Sequence, residues 1–193
     1  FTTDQLGGEQ PQAKTLDEIV TGENYAMVIT TNAGLWRYLI GDTVVFTSLK
    51  PYRIQISGRT KSFINAVGEE LIVDNAEKAM SIACQKSLAV INEYTAAPVY
   101  FNDSGNVAHE WLLEFEKPPA DLDAFCTVFD DALKSVNSDY EAKRHQNMVL
   151  RKPIIRTLPN GTFYKWMKQR GKLGGQNKVP RLSNNRHYVE EIM

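Results

Sequence analysis

The stretch YLIGDTVVFTSLKPYRIQISGRTKSFINAVGEELIVDNAE, residues 38 to 77, decides how the chain is read. It joins a Gly41-Asp42 step at the end of an apolar strand, a Gly58-Arg59-Thr60-Lys61 turn and a helix led by glutamates. A carboxylate such as Asp42, set just beyond a strand, can accept two hydroxyl hydrogen bonds, and a guanidinium such as Arg59 offers planar, permanently charged donors suited to phosphate oxygens. Arg59 and Lys61 fall on a tight turn about which two domains could swivel. The stretch therefore reads as a hinge, and hydroxyl acceptors beside anion-binding cations point to a nucleotide.

On the N-terminal side, YAMVITT (25 to 31) is β-branched and apolar, Asn32-Ala33-Gly34 supplies a turn, and LWRYLI and TVVFTS are strand-like around Gly41-Asp42, which predicts a small β unit. RIQIS (53 to 57) alternates polar and apolar residues up to a turn at Gly58, and SFINA with ELIV forms a hairpin tipped by Val67-Gly68-Glu69. Asp74 or Asn75 caps a helix in which Ala76, Ala79, Met80, Ala83 and Cys84 recur at helical spacing.

Further along, LAVINEYTAAPVYF and HEWLLEFE predict two strands joined by a turn at 102 to 106 and ended by Pro118-Pro119. DLDAFCTVFDDALKSVN is amphipathic, with Leu122, Phe125, Phe129, Leu133 and Val136 on one side. SDYEAKRHQ predicts another helix, capped by Ser138, whose Tyr140, Glu141, Lys143 and Arg144 form a solvated face. MVLRKPIIRTL returns as an edge strand because Pro153 cannot donate to a ladder. GTFYKWMKQRG is a helix closed by Gly171, followed by the loop KLGGQNKVPRLSNNRH. From Ser62 onward this order predicts a small α+β sandwich, one antiparallel sheet with helices on a face.

With 193 residues, 42% of them apolar, the chain can bury one substantial core or two small ones. A formal charge of -1 gives no global drive toward nucleic acid or an acidic membrane, so electrostatic function must come from local clustering. Such clustering occurs between Gly161 and His187, which holds Lys165, Lys168, Arg170, Lys172, Lys178, Arg181 and Arg186 and no acid. Cys84 and Cys126 lack CxxC spacing and read as buried reduced thiols. His109, His145 and His187 stand apart from any Cys or carboxylate pattern, so zinc is not expected, and Trp111, Phe115, Phe125 and Phe129 read as core. The absence of a membrane-length apolar run and of a basic-then-apolar leader predicts a cytoplasmic protein with no membrane partner. Starting at Phe1 and running into the polar TTDQLGGEQPQAK, the sequence reads as a piece of a longer polypeptide.

In order and spacing, the motifs of residues 38 to 77 and the later GGQNKVPR (174 to 181) resemble the C-terminal third of the acyl-adenylate-forming enzymes. More closely they resemble the auxin-responsive acyl acid amido synthetases and their bacterial relatives, and most of the chain takes part. The resemblance implies that residues 1 to 59 end a large ATP-binding domain and 60 to 193 form a small mobile domain. It also implies ATP and Mg2+ in the intact enzyme, a carboxylic acid and an amine or amino acid as substrates, and the missing N-terminal domain as partner, with no nucleic acid.

Residue by residue, the resemblance makes Asp42 the holder of the ATP ribose, Arg59 a contact to phosphate or ribose, and Lys61 the domain pivot. Tyr38 packs beside adenine or fills a core. Glu70 stands where many adenylating enzymes carry an Arg, and a carboxylate there suits an incoming ammonium better than coenzyme A phosphates. Lys178 would enter the site in the first half-reaction, with Lys172 as the competing lysine. The isolated fragment is expected to be inactive. The alternatives are an acyl-CoA ligase of the same superfamily, and a binding module in which the cationic stretch with Phe163, Tyr164 and Trp166 grips RNA or an acidic partner, although the helical spacing of these aromatics turns them toward a core.

Overall fold

β-Branched and aromatic residues between Asn24 and Arg59 build three strands, β1 (Asn24–Ile29), β2 (Tyr38–Leu49) and β3 (Tyr52–Arg59), paired antiparallel in that order. The computed structural model describes residues 1–5, 11–60, 62–101, 105–145, 149–174 and 177–193. The chain divides into two units, Phe1–Phe63 and Ile64–Met193. Lys61, Asn102-Asp103-Ser104, Gln146, Met148 and Gly175, named above, lie outside the described residues.

In the first unit, Gly41-Asp42 does not end a strand, because β2 runs through it. Between the pairs Ala26↔Thr43 and Val28↔Leu39, β1 contributes only Met27 while β2 contributes Ile40, Gly41 and Asp42. This is a β-bulge, and Gly41 at φ 93° supplies the backbone conformation that a side chain would resist. Gly58 is likewise inside a strand, with Ser57 the extra residue between Thr43↔Gly58 and Val44↔Ile56. The chain turns after Arg59, whose C=O accepts from the Ser62 N–H at 3.0 Å. Ile19, Tyr25, Val44 and Phe46 form the small core beneath.

The unit boundary falls within β4 (Phe63–Ile64), which forms a hairpin with β5 (Leu71–Ile72), tipped as expected at Val67-Gly68-Glu69. Helix α1 (Val73–Ser87) starts one residue before the expected cap. Asn75 therefore works from inside the first turn, its Oδ1 accepting from the Ile72 N–H at 3.3 Å. Next come β6 (Val90–Tyr100), β7 (Val107–Lys117), α2 (Leu122–Val136) and α3 (Ser138–Arg144). Asp121 caps α2 through the Asp123 and Ala124 N–H groups, and Asn137, rather than Ser138, caps α3 through the Tyr140 N–H at 2.8 Å. The chain then forms β8 (Ile154–Leu158), α4 (Thr162–Gln169) and α5 (His187–Ile192).

The α+β class is observed, with two departures from the expected sandwich. The sheet order is β6-β7-β8, and β8 lies parallel to β7 rather than antiparallel. The α2 and α3 crossover is what makes a parallel return possible. Helices also cover both faces: α1 and α2 pack with Trp111, Leu113 and Phe115, while α4 and α5 pack with Ala97 and Leu112. Double coverage leaves nine successive residues of β7, Val107 to Phe115, buried. Trp111 meets Phe129 edge-on at 4.8 Å in the larger core.

Candidate active-site elements

Asp42 and Arg59 face each other across β2 and β3 as register partners, with Nε 3.2 Å from Oδ1. The Arg59 side chain is 75% exposed and Asp42 27%, so the pair adds little stability and presents charge to solvent. Thr60 closes the corner, its N–H donating to the Gly41 C=O at 2.8 Å. The bulge thus sets a carboxylate against a largely exposed guanidinium, a pair that can accept hydroxyls and donate to anionic oxygens side by side. Tyr38 begins β2 and is 51% exposed, so it fills no core among the described residues.

The loop between β4 and β5 treats its two glutamates differently. Glu69 is fully buried, accepting from the Ala66 and Val67 N–H groups at 2.9 and 2.8 Å and pairing with His109 Nε2 at 2.8 Å. Burial pushes its carboxyl up, but the His109 hydrogen bond and charge with the two N–H donors outweigh that and hold it below the usual carboxylate range. Glu70 is half-buried with φ 32°, and its C=O accepts from Asn137 Nδ2 at 3.2 Å. Asn65 ties the loop to the C-terminal segment, its N–H donating to Asn184 Oδ1 at 2.7 Å. Glu69, His109, Asn137 and Asn184 were missed as loop-setting residues. The signal for Glu69 and His109 was a histidine inside a strand rich in apolar residues, which must find a partner there.

Lys178 is exposed and has no ion-pair partner among the described residues, in the segment that follows α4. Helix α4 ends as expected at Gly171: the Gly171 N–H donates to the Lys168 C=O at 3.0 Å and the Lys172 N–H to the Met167 C=O at 2.9 Å, a Schellman closure. Lys172, whose N–H completes that closure, is exposed as well. After Lys178 the chain is held again, since Val179 is buried with α4 and the Pro180 C=O accepts from Thr95 Oγ1 at 2.6 Å.

Other expectations are corrected here. The face of SDYEAKR is not solvated at Tyr140 and Arg144, both of which are buried. Arg144 binds Asp130 through Nε and one terminal nitrogen, each at 2.7 Å, and Tyr140 donates to the same carboxylate at 2.8 Å. As their helical spacing suggests, Phe163 and Trp166 are buried with Met167 and leave only Tyr164 exposed, which removes the aromatic platform of the RNA-binding alternative. Cys126 is buried and unbridged, with its thiol pushed up by burial, while Cys84 is only half-buried. Among the described residues, no helix is long and apolar enough to cross a membrane. Nor, among those residues, do three His, Cys, Asp or Glu side chains converge as a metal ion requires.

Residues 74–187 match the GH3 family C-terminal domain and residues 2–59 the GH3 family central domain. Indole-3-acetic acid-amido synthetase GH3.10 of Arabidopsis thaliana is 28% identical over 180 residues, 88% of this chain and 30% of that protein. Jasmonoyl--L-amino acid synthetase JAR4 of Nicotiana attenuata is 26% identical over 188 residues, 92% of this chain and 32% of its own length. The solved structure of the GH3.15 acyl acid amido synthetase superposes with a TM-score of 0.68 at 20% identity, covering 92% of this chain and 33% of that one. This chain thus shares that fold and spans about 30% of the length of the curated relatives it matches. Because the C-terminal-domain match alone takes in more than half of its residues, the chain belongs to the GH3 family.

Proposed function

We propose that this chain is the C-terminal portion of an ATP-dependent acyl acid amido synthetase. In the intact enzyme a carboxylic acid attacks the α-phosphorus of ATP, giving an acyl adenylate and pyrophosphate, and an amine, that of an amino acid, then displaces AMP to form an amide. Residues 1 to 59 end the large ATP-binding domain and 60 to 193 form the small mobile domain, in a cytoplasmic protein. The observation that carries this reading is Lys178: in a GH3-family chain, its ammonium stands exposed and without an ion-pair partner among the described residues.

The chemistry asks for such a group. Attack of a carboxylate on a phosphate brings two anions together, and a positive charge that is not neutralised elsewhere stabilises the charge developing between them. Asp42 accepts the ribose hydroxyls, Arg59 donates to phosphate or ribose oxygens, and Tyr38 offers its exposed ring to adenine. Lys61 serves as pivot, and closure about it separates the two half-reactions. Glu70 orients the incoming ammonium, which favours an amine over the thiol of coenzyme A as the second nucleophile. The described residues offer no set fit for Mg2+, so the ion is assigned to the nucleotide and no step here runs through it.

The test is pyrophosphate exchange into ATP by the full-length protein, run against a panel of carboxylic acids with wild type and Lys178→Ala. Wild type should exchange with at least one acid, and the variant should lose about 100-fold or more. Exchange at the wild-type rate in Lys178→Ala would overturn the assignment of this lysine.

A further inference from the structure

We propose that Arg181 is a positioning residue for Lys178, fixing the base from which that side chain extends; this rests on the function proposed above. The segment after Lys178 lies along the outer edge of β6 through one parallel bridge, Ala96 to Leu182. The Ala96 N–H donates to the Arg181 C=O at 2.9 Å and the Ser183 N–H to the Ala96 C=O at 3.0 Å. A single bridge at a sheet edge frays readily by itself. Here Leu182 is buried in the larger core, and the Arg181 side chain adds a second hold. Its guanidinium lies over the Tyr94 ring, 4.4 Å from the centroid, with Nε 3.2 Å from Glu77 and a terminal nitrogen paired with Glu93. The same nitrogen donates to the Tyr94 C=O at 3.3 Å, and the Tyr94 hydroxyl donates to Glu77 at 2.9 Å. The planar guanidinium therefore bonds in its plane and stacks on its face, gripping β6 and, through Glu77, α1.

None of these groups touches the Lys178 side chain, so Arg181 acts on the lysine only through the three intervening main-chain units. The carboxylate contacts sit at the edge of the sheet, whereas the Tyr94 ring beneath the guanidinium reaches the core, 5.8 Å from the Trp111 ring. Releasing Arg181 removes the polar part of this hold while Val179 and Leu182 stay buried, and so loosens the base of Lys178. A displacement of about 1 Å at a reacting group is enough to cost up to two orders of magnitude in rate.

The experiment uses the full-length enzyme with Arg181→Met, Arg181→Lys and, as an independent way of loosening the same segment, Thr95→Val. Pyrophosphate exchange reads the first half-reaction, and aminolysis of a synthetic acyl adenylate reads the second. Arg181→Met should lower the kcat of exchange by about tenfold or more while the KM for the acid and the aminolysis rate stay within about twofold. Arg181→Lys should recover part of the loss, and Thr95→Val should reproduce its direction. In a Lys178→Ala background, Arg181→Met should cost nothing further. Wild-type exchange in both Arg181→Met and Thr95→Val overturns the proposal, as does equal loss in both half-reactions or added loss on top of Lys178→Ala. If Arg181→Met does not fold, Thr95→Val decides. Normal exchange by Lys178→Ala would instead mark failure of the function assigned to the lysine, and the positioning role falls with it.

Discussion

Glu69 accepts main-chain hydrogen bonds on both carboxylate oxygens and is sealed from solvent, whereas Glu70, one residue on, is half-buried with a left-handed backbone. Two identical letters in a turn carry no mark of which one faces inward, and the difference arises from His109, 40 residues away in sequence. Replacing Glu69 with Gln keeps the shape but sets an NH2 group against one of the two backbone donors. That variant should lose about 1–3 kcal/mol of stability, seen as a lower denaturant midpoint with an unchanged slope. A midpoint equal to wild type would show that the buried carboxylate is not what holds the loop. Arg144 was misread for a similar reason. Its spacing suits an exposed helix face, but Asp130 and the Leu150 C=O draw it into the core, where an arginine persists only when fully bonded.

At the scale of elements, helices with a long apolar stripe were legible. Ala76, Ala79, Met80 and Ala83 are the buried residues of α1, and Phe125, Phe129 and Leu133 are buried in α2. The β6 and β7 pair was legible from its length and composition. What composition does not encode is direction: β8 could have entered the sheet either way, and its parallel sense follows from the path of α2 and α3. Helix α5, of 6 residues, is too short for a periodic signal, and only its first residue, His187, falls in the stretch read as loop. The bulge at Gly41 was likewise invisible, because a glycine before an aspartate reads equally as a turn. Helix α4 lacks a capping side chain of its own, and the buried Glu114 of β7 supplies one, accepting from the Gly161 and Phe163 N–H groups at 2.8 and 3.1 Å. Glu114→Ala should cost about 0.5–2 kcal/mol and speed hydrogen exchange at those two amides. Unchanged protection there would mean that packing of Phe163 and Trp166 holds the helix end alone.

Over the whole molecule, acid should be the stress that charge arrangement resists least. Burial pushes the carboxyls of Glu69, Glu110 and Asp130 up, but His109 for the first, Arg186 and Arg156 for the second, and Arg144 with Lys134 for the third leave all three below the usual range. The unfolded chain then binds protons at a higher pH than the folded one. The stabilisation is present in full above the unfolded carboxylate values, about 4, and is lost as pH falls through them toward the folded values. Denaturant midpoints should be nearly level from about pH 7 to 5 and fall steeply below about pH 4; a midpoint that rises on acidification contradicts the assignment. The segment laid along β6 has one more effect. An open sheet ends in a row of unsatisfied main-chain donors and acceptors that invites a strand from another molecule. At Ala96 both groups are already taken, by Arg181 and Ser183. The stretch next to Lys178 therefore also guards the sheet against strand addition by a neighbour, and an enzyme that lost its grip there would expose a sticky edge together with an ill-placed lysine.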